Sequence, residues 1–216
     1  MLEHVPGWIG SLFAAVRAGH GKLVVAQPGI AEGVAEIELS SPAFAAGARL
    51  PDRFTADGEG VSPPLVWGAL PEGTAGCALI VEDPDAPTPQ PLVHAVVWAI
   101  PADDHRLAEG AIVADEAVEA GPDVGRNSYL GEGWLPPDPP TGHGSHDYVF
   151  QPFALSSLPE LDESPGRSAI VEAISGRVLG AGVLIGTYSR GQPSDIASHD
   201  DAEPVAPAGS AGPALA

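Results

Sequence analysis

Cys77-Ala78-Leu79-Ile80-Val81-Glu82-Asp83-Pro84-Asp85-Ala86-Pro87, followed shortly by Leu92-Val93-His94-Ala95-Val96-Val97-Trp98-Ala99-Ile100, is the stretch whose reading decides the fold. It holds two apolar runs of strand length separated by a proline-rich turn. Runs of the same kind recur at Ile37 to Leu39, Tyr148 to Leu155 and Val183 to Tyr188, with Pro/Gly clusters between them. Short apolar runs punctuated in this way predict a mainly β chain folded as a β-sandwich.

Working outward, the chain divides into three parts. Residues 1–35 read as an N-terminal extension in which Trp8, Ile9, Leu12, Phe13 and Val16 recur at helical spacing. A helix this short must dock, either on its own domain or on a second copy in a homodimer. Residues 36–191 form the β domain. They include one late helix, opened by Ser164-Pro165, with a stripe of Ile170, Ala173 and Ile174 and an end at Gly180 or Gly182. Residues 192–216 are rich in Pro, Ala and Gly and carry Asp195, Asp200, Asp201 and Glu203 without a base. That composition predicts disorder.

The 216 residues suit one domain with a real core, and 44 % are hydrophobic. The net charge of −20 comes from 29 acids against nine bases. Such a field repels nucleic-acid backbones and anionic membrane surfaces. It leaves open a small phosphorylated ligand, because local donors outweigh a distant field beyond a Debye length of roughly 8–10 Å. Cys77 is the lone cysteine, so an internal disulfide and a thiolate metal site are both excluded, and a buried core position is expected. No apolar run approaches the roughly 20 residues of a membrane span, and no basic leader precedes one. The cytoplasm is the expected compartment.

The chemistry concentrates at the turn after the first run. Pro84 and Pro87 restrict the backbone around Asp83 and Asp85 at a strand end, where sites are commonly built. The same residues suit an Asx-type turn, with carboxylates capping backbone N–H groups. His94 lies in a run apolar on both faces and needs a partner, which an Asp at the neighbouring strand end would supply. A long Pro/Gly loop, Gly131 to Tyr148, carries His143 and His146 into the next strand. Carboxylates on a rigid turn and imidazoles from two segments make a pocket able to receive a small anion. No H-E-x-x-H, P-loop or nucleophile elbow occurs, and Ser145 beside His146 is not a triad by adjacency. No catalytic residue, metal ligand or cofactor is therefore assigned.

With these residues in place, the chain resembles the phosphatidylethanolamine-binding protein (PEBP) family, in its bacterial Raf-kinase-inhibitor-like (YbhB/YbcL-type) branch. The resemblance rests on Phe54 to Gly58 with Ser62 to Trp67, Leu79 to Pro87, Val93 to Pro101, Gly125 to Tyr129, Pro139 to Phe150 and Gly186 to Tyr188. It implies an antiparallel β-sandwich with a few short helices and a small surface pocket for phosphate-like anions or phospholipid headgroups. Carried over by position, the pocket comprises Asp83, Asp85, Pro87, His94, Pro139, Pro140, His146 and Tyr148. The family also implies a non-catalytic binding protein, with a kinase or protease among its partners. A regulator acting by protein interaction alone, or a hydrolase or metal-dependent enzyme using the same Asp/His set, are the alternatives. This chain departs from the family in having Asp147 where many relatives have Arg, and an insertion at Glu132 to Asp138.

Overall fold

The two central runs form the middle of a large sheet because their side chains are apolar on both faces, which only a strand covered on both sides tolerates. The fold is described from a computed structural model over residues 17–114, 121–161 and 164–190. Among these, the strands in chain order are β1 (Ala35–Glu36), β2 (Leu39–Ser40), β3 (Leu65–Trp67), β4 (Gly76–Asp83) and β5 (Leu92–Pro101). They continue with β6 (Arg106–Leu107), β7 (Asp123–Val124), β8 (His146–Leu155), β9 (Val178–Ala181) and β10 (Leu184–Tyr188). The helix α1 spans Arg167–Ile174.

The large sheet has the order β1-β9-β8-β4-β5-β7, with β10 also on β8, and the small sheet is β2-β3-β6. Every strand pairing is antiparallel except that of β1 with β9. Alternate residues of the central strands serve two cores. Leu79 and Val81 of β4 and Val97 of β5 face the small sheet, meeting Leu65, Trp67 and Leu107. Ala78, Ile80, Val96 and Phe153 face the other way, under Val24, Ile30, Ile170 and Ile174. The mainly β sandwich with few helices is thus the observed architecture. Cys77 lies buried in the first core, and burial pushes its thiol up to about 11.

Three expectations change. The run Ile37 to Leu39 is not one strand but a crossing between sheets. Ala35 and Glu36 pair Gly180 and Ala181 in the large sheet, while Leu39 and Ser40 pair Trp67 and Val66 in the small one. Gly182 makes that crossing fit: a Cβ there would lie 2.3 Å from the Ile37 carbonyl oxygen. Next, Ser164 does not cap the helix. Its φ is +61° and its hydroxyl bonds Glu132, so helical geometry begins only at Arg167. Finally, the helix ends at Ile174, with Gly176 in the left-handed region at φ +73°. Gly180 belongs to β9 instead.

Pro152 lacks an N–H yet sits within β8. It falls where β8 exchanges β10, paired up to Phe150, for β9, paired from Phe153. The expected helix around residues 8–16 and the tail from residue 192 lie outside the described residues. Residues 18–34 pack on the large sheet: Val24 and Ile30 enter the second core, and the N–H groups of Ala18 and Gly19 donate to the carbonyls of Ala86 and Pro84. No helix among the described residues is long and apolar enough to cross a membrane.

Candidate functional site

A cavity of about 250 Å³ opens where β4, β5 and β8 begin or end. The end of β4 supplies Asp83, the turn after it Ala86 and Pro87, β5 Leu92 and His94, and β8 His146 and Tyr148. The loop before β8 closes it with Leu135, Pro136, Asp138, Pro139 and Pro140. Tyr129 lines it too. Seven of the expected residues therefore meet at one cavity: Asp83, Pro87, His94, Pro139, Pro140, His146 and Tyr148. Asp85 does not line it. Its carboxylate accepts the Asp147 N–H at 2.7 Å and pairs with Arg17 at 2.5 Å.

Asp83 is fully used within the protein. Oδ1 accepts the N–H groups of Asp85 and Ala86 at 2.7 and 3.0 Å, which is the Asx-type turn foreseen from the prolines. Oδ2 accepts from His146 Nδ1 at 2.7 Å. The expectation that this strand-end Asp fixes the tautomer of His94 is corrected here, since the partner is His146. A carboxylate only accepts, so His146 carries its proton on Nδ1. Its Nε2 then meets His143 Nδ1 at 2.6 Å. Asp83, His146 and His143 form a buried chain, with each imidazole only 1 % exposed.

His94 is held from elsewhere. Its Nδ1 lies 2.6 Å from the Leu135 carbonyl, an acceptor, so Nδ1 donates and Nε2 presents a lone pair. Burial lowers the pKa of His94, and Asp83 and the Leu135 carbonyl, which pull the other way, do not overcome it. His94 is therefore held in its neutral form. His94 Nε2 and Tyr148 Oη are both buried without a hydrogen-bond partner, and the two rings meet edge-on at 5.0 Å. Burial, reinforced by Asp83 and Asp138, raises Tyr148 well above its ordinary range, so it keeps its proton.

Neutral burial of His94 has a measurable consequence. The unfolded chain takes up a proton on this side chain near 6.5, whereas the folded chain resists it. Unfolding is thus favoured as pH falls below about 6.5, and stability rises with pH through that window. Urea unfolding at pH 7.5 and 5.5 should show a loss on acidification that is smaller in His94→Gln by about 1 kcal/mol. Equal losses in the two proteins would refute the assignment.

The rim depends on residues that the motifs do not flag. Arg190 pairs with Asp57 at 2.8 Å and Asp138 at 2.5 Å, and donates to the Pro139 carbonyl at 3.3 Å. Its hydrogen bonds hold the Asp57 carboxyl below the usual carboxylate range. Beside the cavity-lining residues Ala86 and His146, Arg17 donates to the Ser145 carbonyl as well as binding Asp85, and His20 meets Asp147 at 3.0 Å. His20, Asp85 and Asp147 bring one imidazole nitrogen and two carboxylate oxygens within 4.8 Å of one another, a donor set for a divalent cation. Arg17 already neutralises Asp85 there, so the cluster reads as an ion-pair network. His143 had one signal in the sequence, its place three residues ahead of His146 on a Gly-punctuated loop.

Comparison with known proteins finds the same fold elsewhere. The family model described as phosphatidylethanolamine-binding protein matches residues 40–189. A UPF0098 protein of Methanothermobacter thermautotrophicus is 38 % identical over 159 residues, covering 72 % of this chain and all of the relative. One from Aquifex aeolicus is 36 % identical over 172 residues, covering 79 % and 98 %. Among solved structures, a Chlamydia trachomatis protein described as a homolog of phosphatidylethanolamine-binding proteins superposes with a TM-score of 0.65 at 30 % identity, covering 72 % of this chain and 98 % of that one. YbcL of Escherichia coli, described as a new member of the mammalian PEBP family, gives 0.67 at 28 %, covering 72 % and 99 %.

Proposed function

The chain belongs to the phosphatidylethanolamine-binding protein family, and from that premise we propose that it is a non-catalytic binding protein whose cavity takes a small phosphate-bearing headgroup. The observation that carries this reading is the pair of buried, unpartnered atoms, His94 Nε2 and Tyr148 Oη. A buried polar atom without a partner costs roughly 1–3 kcal/mol, which a ligand removes by bonding to it. His94 offers an acceptor and Tyr148 a donor, so the ligand presents a donor and an acceptor side by side. A singly protonated phosphate, or a headgroup joining an ammonium to a phosphate, has that pattern. Asp83 and Asp138 at the cavity disfavour a dianion. The proline and leucine walls shelter the carbon atoms between. Both His146 nitrogens are engaged, no serine or cysteine among the described residues lines the cavity, and the Thr88 hydroxyl that does so donates to the Gln90 carbonyl. That arrangement supports binding rather than nucleophilic catalysis.

Titration with phosphoethanolamine, followed by ring NMR signals, tests the proposal. Saturable shifts of His94 and Tyr148 are expected, and Tyr148→Phe should weaken binding about fivefold, the value of one net hydrogen bond. An unchanged affinity in Tyr148→Phe would remove Tyr148 from the site and the proposal with it.

A further inference from the structure

Successive residues of a strand point to opposite faces. His94 lines the cavity just described, and Val93 lines a second, larger cleft of about 780 Å³ behind it. The turn following Arg126 divides the two: Tyr129 faces the first, and Arg126, Ser128 and Leu130 face the second. This cleft inverts the charge of the protein. Lys22, Arg126 and Arg167 line it with Gln27, Gln90 and Ser128, and no aspartate or glutamate among the described residues does. In a chain with 29 acids and nine bases, that is a spatial sorting of charge.

Two of the three charges are uncompensated. Arg167 is met by buried Glu82 at 2.5 Å and donates to the Lys22 carbonyl at 2.6 Å, which fixes the floor. Lys22 Nζ is held by the Pro89 carbonyl at 2.9 Å, which positions its charge without cancelling it. Arg126 makes no ion pair among the described residues. Ser128 Oγ accepts the Val93 N–H at 2.8 Å, so its own proton is free to donate outward. Glu160 and Glu172 line a neighbouring depression that shares Arg126, but they stay outside the cleft.

We propose that this cleft is a second, separate binding site for a phosphate-bearing ligand. A forked guanidinium beside a compact ammonium suits phosphate oxygens. The volume, within the usual range of about 300–1,000 Å³, leaves room for a further polar portion against Gln27 and Gln90. The phosphate belongs either to a soluble ester or to a lipid headgroup. The proposal does not rest on the function assigned to the first cavity.

The test titrates the full chain with inorganic pyrophosphate at low ionic strength, reading backbone amide shifts. Saturable shifts are expected at Arg126 to Ser128 and Gly166 to Ser168. Arg126→Gln and Lys22→Gln should each weaken binding about fivefold, the range for an exposed charge contact, while Tyr148→Phe leaves it unchanged. In a parallel arm, sedimentation with phosphatidic acid vesicles is compared with phosphatidylcholine vesicles. Retention on the former that Arg126→Gln abolishes assigns the phosphate to a headgroup, and a pyrophosphate response without retention assigns a soluble ligand. The proposal is overturned if neither arm responds, if Arg126→Gln and Lys22→Gln bind like wild type, or if shifts fall only at His94 and Tyr148.

Discussion

Replacing Glu82 with Ala is expected to lower the unfolding free energy by about 3–5 kcal/mol and the thermal midpoint by roughly 10 °C. Glu82 is fully buried on the face of β4 turned toward α1. Its Oε2 accepts from the Val24 N–H and from Gln151 Nε2, both at 2.8 Å, and Oε1 from Arg167 Nε at 2.5 Å. One carboxylate thus joins the N-terminal segment, β8 and the helix to the large sheet. Truncation leaves a fully buried amide, a backbone N–H and a guanidinium without their acceptor, and that penalty exceeds the worth of the ion pair itself. The double variant Glu82→Met with Arg167→Met should therefore recover much of the loss. Urea unfolding decides the matter. A Glu82→Ala protein within about 1 kcal/mol of wild type would show that these groups find water on truncation.

The second large effect belongs to Asp83. Asp83→Ala should cost about 3–4 kcal/mol, because three donors lose a buried acceptor at once, and headgroup binding should go with the turn that shapes the cavity. Asp83→Asn separates the two roles. The amide oxygen still accepts from Asp85 and Ala86, but an NH₂ now faces His146 Nδ1 and can only donate. His146 must then carry its proton on Nε2, and His143 must turn from donor to acceptor. Nitrogen-15 NMR of the imidazoles should show His146 protonated on Nδ1 in wild type and on Nε2 in Asp83→Asn. An unchanged tautomer would sink the relay of hydrogen bonds from Asp83 to His143.

The long strands were legible in the sequence because burial leaves few polar interruptions: β4, β5, β8 and β10 coincide with largely apolar runs. The strands β6, β7 and β9 have two to four residues, and tertiary pairing rather than local pattern creates them. The crossing at Ile37 looked like a strand since extended backbone with apolar side chains serves either purpose. At the site, motif position brought Asp83, His94, His146 and Tyr148 to one cavity. It did not say who bonds whom. Asp83 bonds His146, 63 positions away, rather than His94, 11 positions away, because β4 pairs with both β5 and β8 and only geometry selects between them. Arg17 and Arg190 carried no signal. Arg190 sits where a compositional boundary was drawn and Arg17 within the N-terminal extension, and a charged residue in either place reads as surface.

Those two arginines give the cavity a history. Arg190 clips its rim from just beyond the last strand, while Arg17, from ahead of the first, binds Asp85 and Ser145 next to the cavity residues Ala86 and His146. During synthesis the central strands β4, β5 and β8 emerge well before Arg190 does, and domains fold as units once their chain is available. A nascent chain can accordingly gather His94, His146 and Tyr148 without yet holding Asp138 and Pro139 in place. The complete rim arrives last, once Arg190 has left the ribosome. A closed rim therefore reports that the chain as far as Arg190 has been made and folded.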